Sequence, residues 1–253
     1  MQVDVPTKGA RIAAHSTGSG PPVVMLHALG TDRSVWDPLI ALMPDHRIIT
    51  MDLRGHGASS VPVGPYSMGG LISDVESVLD HLAVRDAVVI GLCLGGMLAQ
   101  GLAVKRLDLV RAMVLCCTAA KLGQPDSWHA RAAVARTDGV AVLAPAILAR
   151  WGVVGPNAEN RLSATPPEGY AGCCEALAGT DFYTPTSGLR LPTLGLTGDR
   201  DKSTPPDLVR ETTHLVPGAT FQLIRGAGHL APETHAPEVA RHVHAFLGDI
   251  AHV

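Results

Sequence analysis

Short apolar segments alternate with helix-length segments along most of the chain. The apolar segments are rich in Val, Ile and Leu and are bounded by turn residues, which is typical of strands buried on both faces. We predict strands at Val23–Leu26, Arg47–Met51, Ala87–Leu92, Ala112–Cys116, Thr193–Thr197 and Thr220–Ile224. We predict helices at Gly70–Ala83, Gly95–Lys105, Pro206–His214 and Ala236–Ile250. This alternation predicts an α/β fold in which helices cover both faces of a mostly parallel sheet.

Two regions depart from the alternation. The first residues, with Gly9 and a turn at Gly18–Gly20, predict an antiparallel hairpin on the edge of the sheet. Residues 121–190 contain helical segments separated by Pro and Gly but no convincing strand. We interpret residues 121–190 as an inserted helical cap, and residues 1–120 and 191–253 as the α/β core.

Composition limits the classes of function. The chain has 253 residues, of which 46% are hydrophobic and 17% are charged, and its net charge is -3. This balance suits a globular protein and offers no basic surface for nucleic acid or an anionic membrane. No apolar run reaches membrane-spanning length, and the N-terminus lacks an apolar signal core, so we expect a cytoplasmic protein. The five cysteines show no C-x-x-C spacing, and we expect neither a disulfide framework nor a metal site.

One cysteine occupies an unusual position, at the tip of a tight strand-to-helix turn. The segment Gly91–Gly96 reads GLCLGG, which fits a nucleophile turn with Cys93 at its centre. Flanking glycines relieve crowding in such a turn, and a thiol at a helix N-terminus favours the thiolate. The hexamer alone also fits a packed structural cysteine. A dinucleotide-binding loop is a weaker interpretation, because G-x-G-x-x-G is absent.

A nucleophile of this kind needs a histidine base and a carboxylate that orients the imidazole. In this kind of fold they follow the nucleophile in the order acid, then base, on loops after later strands. Asp201 follows the strand at Thr193–Thr197, and His229 follows the strand at Thr220–Ile224. We predict Cys93, Asp201 and His229 as catalytic residues, with Asp199 as a weaker candidate for the acid.

The motifs MLHALGTDRSVWD, MDLRGHGASS, GLCLGGM, TGDRDKSTPP and GAGHLAPE occur in the order found in the α/β-hydrolase superfamily, which the chain resembles over nearly its whole length. The resemblance implies the α/β-hydrolase fold and assigns the acid to Asp201. It also implies an oxyanion hole formed by the backbone amides of Leu29 and Leu94. The usual His-Gly of the oxyanion loop is His27-Ala28 here. The matching turn at His56 is more often structural in the superfamily, and we assign His56 no chemistry.

Finer similarity favours the 3-oxoadipate enol-lactonase group. The segments LGTDRSVWD, LRGHGASSVPVGPYSM and TPPEGYAGCCEALAGTDF resemble that group. The resemblance implies hydrolysis of an enol-lactone in the catabolism of aromatic compounds, without a cofactor. Cys93 stands where the family usually has serine, and both a natural cysteine and a replaced serine fit the sequence.

We therefore predict an esterase or lactonase that forms a covalent acyl-enzyme on Cys93. Two alternatives stay open: an acyltransferase or thioesterase that uses the same thioester, and a non-catalytic ligand-binding protein. The expected partner is a small ester or lactone, and the sequence favours no particular oligomeric state.

Residues that bind the substrate are harder to predict. Trp128, Trp151 and Tyr170 fall within residues 121–190 and are candidates to line the cleft. A substrate carboxylate needs a cation, and Arg33, just past the oxyanion loop, is our first candidate. The arginines within residues 121–190 are the second.

Overall fold

Eight strands form one continuous sheet in the computed structural model, which describes residues 1–252. The strands are β1 (Gln2–Thr7), β2 (Ala10–Thr17), β3 (Pro22–Leu26), β4 (Arg47–Met51), β5 (Ala87–Leu92), β6 (Val110–Cys116), β7 (Thr193–Gly198) and β8 (Thr220–Ile224). Their order across the sheet is β1-β2-β4-β3-β5-β6-β7-β8. The first two strands form the predicted antiparallel hairpin, and β2 pairs antiparallel with β4. Every other pair is parallel.

The central strands are buried on both faces. Every residue of β5 and β7 is buried, so helices must cover the sheet above and below them. This confirms the predicted α/β architecture. The strand predicted at Thr220–Ile224 is present as β8, but the prediction that it is buried was wrong, because β8 lies at the sheet edge and three of its five residues are exposed.

Eleven α-helices accompany the sheet. They are α1 (Asp37–Ile40), α2 (Met68–His81), α3 (Leu94–Lys105), α4 (Pro125–Asp138), α5 (Ala144–Trp151), α6 (Ala158–Ala164), α7 (Pro167–Ala178), α8 (Tyr183–Ser187), α9 (Pro206–His214), α10 (Ala231–Thr234) and α11 (Ala236–Asp249). The helix predicted at Gly70–Ala83 begins at Met68, because the Ser67 hydroxyl accepts a hydrogen bond from the Gly70 amide and caps it. Within residues 1–252, no helix combines the length and apolar character needed to span a bilayer.

Five helices, α4 to α8, lie between β6 and β7, in the stretch where the sequence predicted no strand. We refer to α4–α8 as the insert helices. They pack closely against the rest of the molecule. A Cβ added to Gly55 would lie only 2.4 Å from the Cα of Gly169 in α7, so the two backbones are in direct contact. The Phe182 amide donates to the Ala120 carbonyl at 2.8 Å.

The carboxyl ends of the parallel strands meet at one edge of the sheet. The loops after β3, β5, β7 and β8 carry the oxyanion-loop residues, Cys93, Asp201 and His229 respectively. Helix α3 starts at this edge and packs unusually close to β3. A Cβ on Gly95 would lie 2.0 Å from the Leu26 carbonyl oxygen, which is part of the sheet backbone and cannot easily move.

This contact predicts that Gly95→Ala destabilises the protein by about 2–3 kcal/mol, because α3 must shift away from the sheet. For a protein of this size the melting temperature should fall by roughly 5 °C or more. Gly69→Ala in α2 is the control, since no atom lies within 4 Å of the added Cβ. We expect the control to melt at or slightly above the wild-type temperature in thermal unfolding followed by circular dichroism. Equal melting temperatures for the two variants would contradict the packing argument.

Candidate active site

Cys93 lies in a backbone conformation that few residues adopt. Its φ is 53° and its ψ is −111°, and it caps the N-terminus of α3. The glycines around it explain how this turn is tolerated. A Cβ on Gly91 would lie 2.3 Å from the Gly95 carbonyl oxygen, and one on Gly96 would lie 2.5 Å from the Thr118 side chain. The GLCLGG sequence therefore encodes a tight turn that leaves the Cys93 side chain half-buried at the edge of the sheet.

His229 and Asp201 form a buried hydrogen bond. His229 Nδ1 lies 2.7 Å from Asp201 Oδ2, and both side chains are almost fully inaccessible to solvent. The two loops that carry them are tied together next to this pair, because the Arg200 amide donates to the Ala227 carbonyl at 2.9 Å. The two predicted residues are thus brought together as acid and imidazole.

Every oxygen of the Asp201 carboxylate is used as an acceptor. Oδ1 accepts the amides of Ser203 and Thr204 at 2.7 and 3.0 Å, and Oδ2 accepts the Thr204 hydroxyl at 2.6 Å. Burial opposes ionisation of Asp201, but His229 and these hydrogen bonds outweigh burial and lower its pKa. Asp199 is exposed and accepts the Gly226 amide at 2.8 Å, so it acts as a turn residue away from the imidazole.

The imidazole of His229 is stabilised in its charged form. Burial alone would lower the pKa of His229, but the charges of Asp201 and Cys93 and their hydrogen bonds to the ring raise it to about 10. The ring thus binds a carboxylate through Nδ1, and it lines the same cavity as Cys93. This electrostatic setting favours the protonated imidazole.

Cys93 differs from the other four cysteines in its surroundings. All five are free thiols, and Cys93 alone is not fully buried. Burial raises the pKa of each of the others, which are Cys116, Cys117, Cys173 and Cys174. Only Cys93 therefore combines access to solvent with a neighbouring imidazole.

The loop after β3 is held in shape by two buried histidines. The Gly30 amide donates to His56 Nε2 at 3.1 Å, and the Leu53 amide donates to His27 Nε2 at 2.8 Å. Burial lowers the pKa of His27 and lowers that of His56 to about 3, so both rings are neutral acceptors. His56 thus has a structural role. Ala28 is tolerated because, unlike Gly30 with its φ of 76°, it does not adopt a left-handed conformation.

Two buried amides lack an internal acceptor. Among the residues that the structure describes, neither the Leu29 amide nor the Leu94 amide donates to another protein group. Leu29 lies in the wall of the cavity beside Cys93, and Leu94 follows Cys93 directly. Buried amides are almost always paired, so these two are suited to bind an oxygen of a ligand.

A small cavity opens onto Cys93 and His229. Its volume is about 80 Å³, which is several times what one water molecule requires. The predicted cleft residues Trp128, Trp151 and Tyr170 all line it. They belong to α4, α5 and α7, so the insert helices form the wall of the cavity that faces the sheet edge.

Arg33, predicted to bind a substrate carboxylate, does not line this cavity, so the cavity gives that prediction no support. Its amide binds Asp52 Oδ1 at 2.9 Å, which fixes the start of a short 3₁₀ helix, and its charge lies near His15 on the antiparallel side of the sheet. The cations that line the cavity are Arg131 and Arg150 of the insert helices. The sequence named the insert arginines as second candidates but gave no signal that separates these two from the others.

One group of side chains has the atoms to ligate a metal. A sulfur of Cys117, an oxygen of Asp201 and a nitrogen of His229 lie within 4.8 Å of one another. The hydrogen bond between Asp201 and His229 already accounts for the closeness of two of the three. Within residues 1–252 no other such group of three occurs.

Comparison with known proteins agrees with this geometry. Residues 23–242 match the model of the alpha/beta hydrolase family. The chain is 37% identical to 3-oxoadipate enol-lactonase 2 of Acinetobacter baylyi over 194 residues, which cover 73% of each chain. The enol-lactonase of Burkholderia xenovorans LB400 superposes with a TM-score of 0.92 at 32% identity and covers 97% of this chain and 100% of its own.

A thermophilic esterase from Thermogutta terrifontis, solved with malate bound, superposes with a TM-score of 0.93 at 27% identity and full coverage of both chains. The family model covers far more than half of the chain. The relatives are named as enol-lactonases or an esterase, and the two solved structures share the overall fold of this chain. This chain therefore belongs to the alpha/beta hydrolase family, has the α/β-hydrolase fold and is an enzyme that hydrolyses esters or lactones.

Proposed function

We propose that the protein hydrolyses a small lactone or ester that carries a carboxylate, through a thioester formed on Cys93. One observation carries this proposal: Cys93 lies at the N-terminus of α3 and beside His229, which is hydrogen-bonded to Asp201. A nucleophile, a base and an acid in this relation are the components of covalent acyl transfer.

The first half-reaction forms the acyl-enzyme. The Cys93 thiolate attacks the carbonyl carbon, and the carbon–oxygen bond of the ester or lactone breaks. The leaving oxygen takes the proton held on the imidazolium of His229, or departs as an enolate that is protonated later. The raised pKa of His229 keeps that proton available near neutral pH.

The second half-reaction requires His229 to act as a base. Once Cys93 carries the acyl group it has no negative charge, so one of the groups that raise the pKa of His229 is removed. The pKa of the ring then falls, and the neutral imidazole takes a proton from water. The resulting hydroxide attacks the thioester carbonyl, the carbon–sulfur bond breaks, and the carboxylic product leaves.

The oxyanion of both tetrahedral intermediates needs hydrogen-bond donors. The unpaired amides of Leu29 and Leu94 are placed to serve, with Leu94 at the positive end of α3. One such donor typically contributes about 3–4 kcal/mol to the stability of a transition state. The buried histidines support this role, because the hydrogen bond from Gly30 to His56 fixes the loop that carries Leu29.

The substrate class follows from the cavity. Its small volume favours a compact substrate, and Arg131 and Arg150 supply positive charge at its wall. Within residues 1–252 neither arginine is paired with an acidic side chain, whereas Arg136 and Arg161 are both engaged in ion pairs. A substrate carboxylate would supply the missing partner. The similarity to enol-lactonases and to an esterase that binds the dicarboxylate malate supports this class, with 3-oxoadipate enol-lactone as the leading candidate.

Residues 121–190 would act as a cap in this enzyme. Residues 121–190 supply most of the residues that line the cavity, including its two tryptophans and its tyrosine, and so separate the reacting carbonyl from bulk water. The five unpaired thiols support a reducing compartment such as the cytoplasm as the site of action.

A substrate panel tests the proposal. We expect the purified protein to hydrolyse short p-nitrophenyl esters faster than long ones, and an enol-lactone with a carboxylate faster than a neutral lactone of equal size. Cys93→Ala should abolish turnover, because no other thiol reaches the imidazole from the cavity. Added thiols or amines, monitored by mass spectrometry, report whether the acyl group is passed to acceptors other than water.

The outcomes separate the parts of the proposal. Full activity of Cys93→Ala would refute the covalent mechanism. Faster turnover of long or neutral substrates would refute the substrate class and leave the mechanism standing. Cys93→Ser completes the set, because higher activity with serine would show that the site is better adapted to the usual family nucleophile.

Substitution of two neighbouring aspartates tests which carboxylate orients His229. Asp201→Asn should lower kcat by about 10²- to 10⁴-fold, because the imidazole loses both its orienting acceptor and the charge that stabilises the imidazolium. Asp199→Asn should change kcat little, since Asp199 binds only the Gly226 amide. A severe loss in Asp199→Asn with a mild one in Asp201→Asn would show that Asp199 is the acid.

Charge recognition is tested within helix α4. Arg131→Ala should raise KM for the carboxylate-bearing lactone by about 10- to 100-fold, because a charge-assisted hydrogen bond contributes roughly 1.5–3 kcal/mol. KM for a neutral ester should stay nearly constant. Arg136→Ala is the matched control on the same helix, since Arg136 binds Glu168 and Glu175 outside the cavity. If both variants leave KM for the anionic lactone unchanged and Arg150→Ala does too, the cavity does not recognise a carboxylate.

A further inference from the structure

Trp151, at the end of α5, makes two contacts with His229. Its backbone carbonyl accepts the His229 amide at 2.7 Å. Its indole ring stacks on the imidazole, with 5.9 Å between the ring centroids and 21° between the ring planes. Trp151 is 4% exposed, so this contact is shielded from solvent. The sequence suggested Trp151 only as a cleft residue, and the structure also places it on the imidazole.

Glycines allow this approach. A Cβ on Gly228 would lie 2.2 Å from the Trp151 carbonyl oxygen, so no other residue fits directly before His229. A Cβ on Gly152, which has a φ of 76°, would lie 2.5 Å from the Arg200 carbonyl oxygen. The Lys202 amide donates to the Arg150 carbonyl at 2.9 Å. The end of α5 is therefore hydrogen-bonded to the His229 loop and to the Asp201 loop.

We propose that Trp151 is a positioning residue, through which the insert helices hold the His229 ring in place and stabilise its protonated form. This inference rests on the proposed function, because it assigns His229 as the acid and base of the reaction. It extends that function by placing part of the catalytic apparatus outside the α/β core.

The physical basis is the cation–π attraction between a protonated imidazole and the face of an indole ring. An imidazolium within about 6 Å of an indole centroid is attracted to the negative face of the ring, and the attraction is larger where water is excluded. The titratable groups near His229 are Asp201, Cys93 and Cys117, and the Cys117 sulfur lies within 4.8 Å of a nitrogen of the ring. Asp201 binds the Nδ1 edge of the ring, whereas Trp151 stacks on a face of it, so the contribution of Trp151 is separable from that of Asp201.

The experiment compares Trp151→Leu and Trp151→Phe with Trp128→Leu. Trp128 is the matched control, because it lines the same cavity from α4 but stacks with Arg131 instead of His229. The backbone bond from His229 to residue 151 survives all three substitutions, so only the side chain is tested. Two quantities are measured for each protein: kcat and KM, and the pH dependence of alkylation of Cys93 by iodoacetamide, followed by mass spectrometry.

We expect Trp151→Leu to raise, by about one unit, the pH at which Cys93 becomes reactive, because the thiolate–imidazolium pair loses a stabilising contact. Its kcat should fall by about tenfold. Trp151→Phe keeps an aromatic face and should lie between Trp151→Leu and the wild type. Trp128→Leu should alter KM and leave the pH profile of alkylation unchanged.

The inference is overturned if both Trp151 variants change KM alone, because Trp151 would then only line the cavity. If Trp151→Leu does not fold, as judged by thermal unfolding, the pH profile of Trp151→Phe decides: an unchanged profile overturns the inference. Failure of the proposed function looks different. In that case wild-type protein shows neither turnover nor preferential labelling of Cys93, whatever residue is at position 151.

Discussion

The turn between β5 and α3 is the constraint on which the rest of the site depends. A cysteine held at a φ of 53° costs free energy, of the order of 1–3 kcal/mol, and persists only where its surroundings leave no alternative. Here the surroundings are backbone atoms. A Cβ on Gly95 would collide with the Leu26 carbonyl of β3, and a Cβ on Gly91 would collide with the Gly95 carbonyl. The strain is therefore supported by the central sheet itself. Because β3 also leads directly into the loop that carries Leu29, one packing contact sets the separation between Cys93, the proposed nucleophile, and the Leu29 amide.

The second requirement of the site is to stabilise the charges of Asp201 and His229 although both side chains are buried. An imidazolium and a carboxylate away from water are stable only when nearly every polar atom is paired. Asp201 satisfies this with four donors, three of which come from Ser203 and Thr204 in its own loop. Two histidines that support the loop after β3 show the opposite solution, because His27 and His56 are equally buried but neutral and accept amides. The site thus contains three buried histidines, and their hydrogen-bond partners decide that only His229 carries charge.

The sequence was informative wherever the cause is local. The glycines around Cys93 and the apolar strands are encoded within a few residues, and Asp201 and His229 form a hydrogen bond at the cavity that Cys93 lines. Arg33 shows where such reasoning ends. It lies six residues beyond His27, yet its amide binds Asp52 and it does not line the cavity. Arg131 is distant in sequence and reaches the cavity because α4 and α7 pack over the sheet edge, and no local pattern reports that packing. The exposure of β8 has the same origin, since an edge position depends on strand order.

The glycines near His229 show that a glycine in the sequence can be required by a residue that is distant in the chain. Gly226, with a φ of 79°, makes the turn after β8, which is a local requirement. Gly228 is needed for a different reason: the carbonyl of Trp151, 77 positions earlier, occupies the space of its side chain. Gly152 serves the Asp201 loop in the same way. A helical insertion that only covered the substrate would not require glycines on both sides of its contact with the catalytic loops. Their presence indicates that the insert helices and the two loops are packed closely against each other, so a substitution at this contact would disturb the proposed catalytic residues as well as the cavity wall.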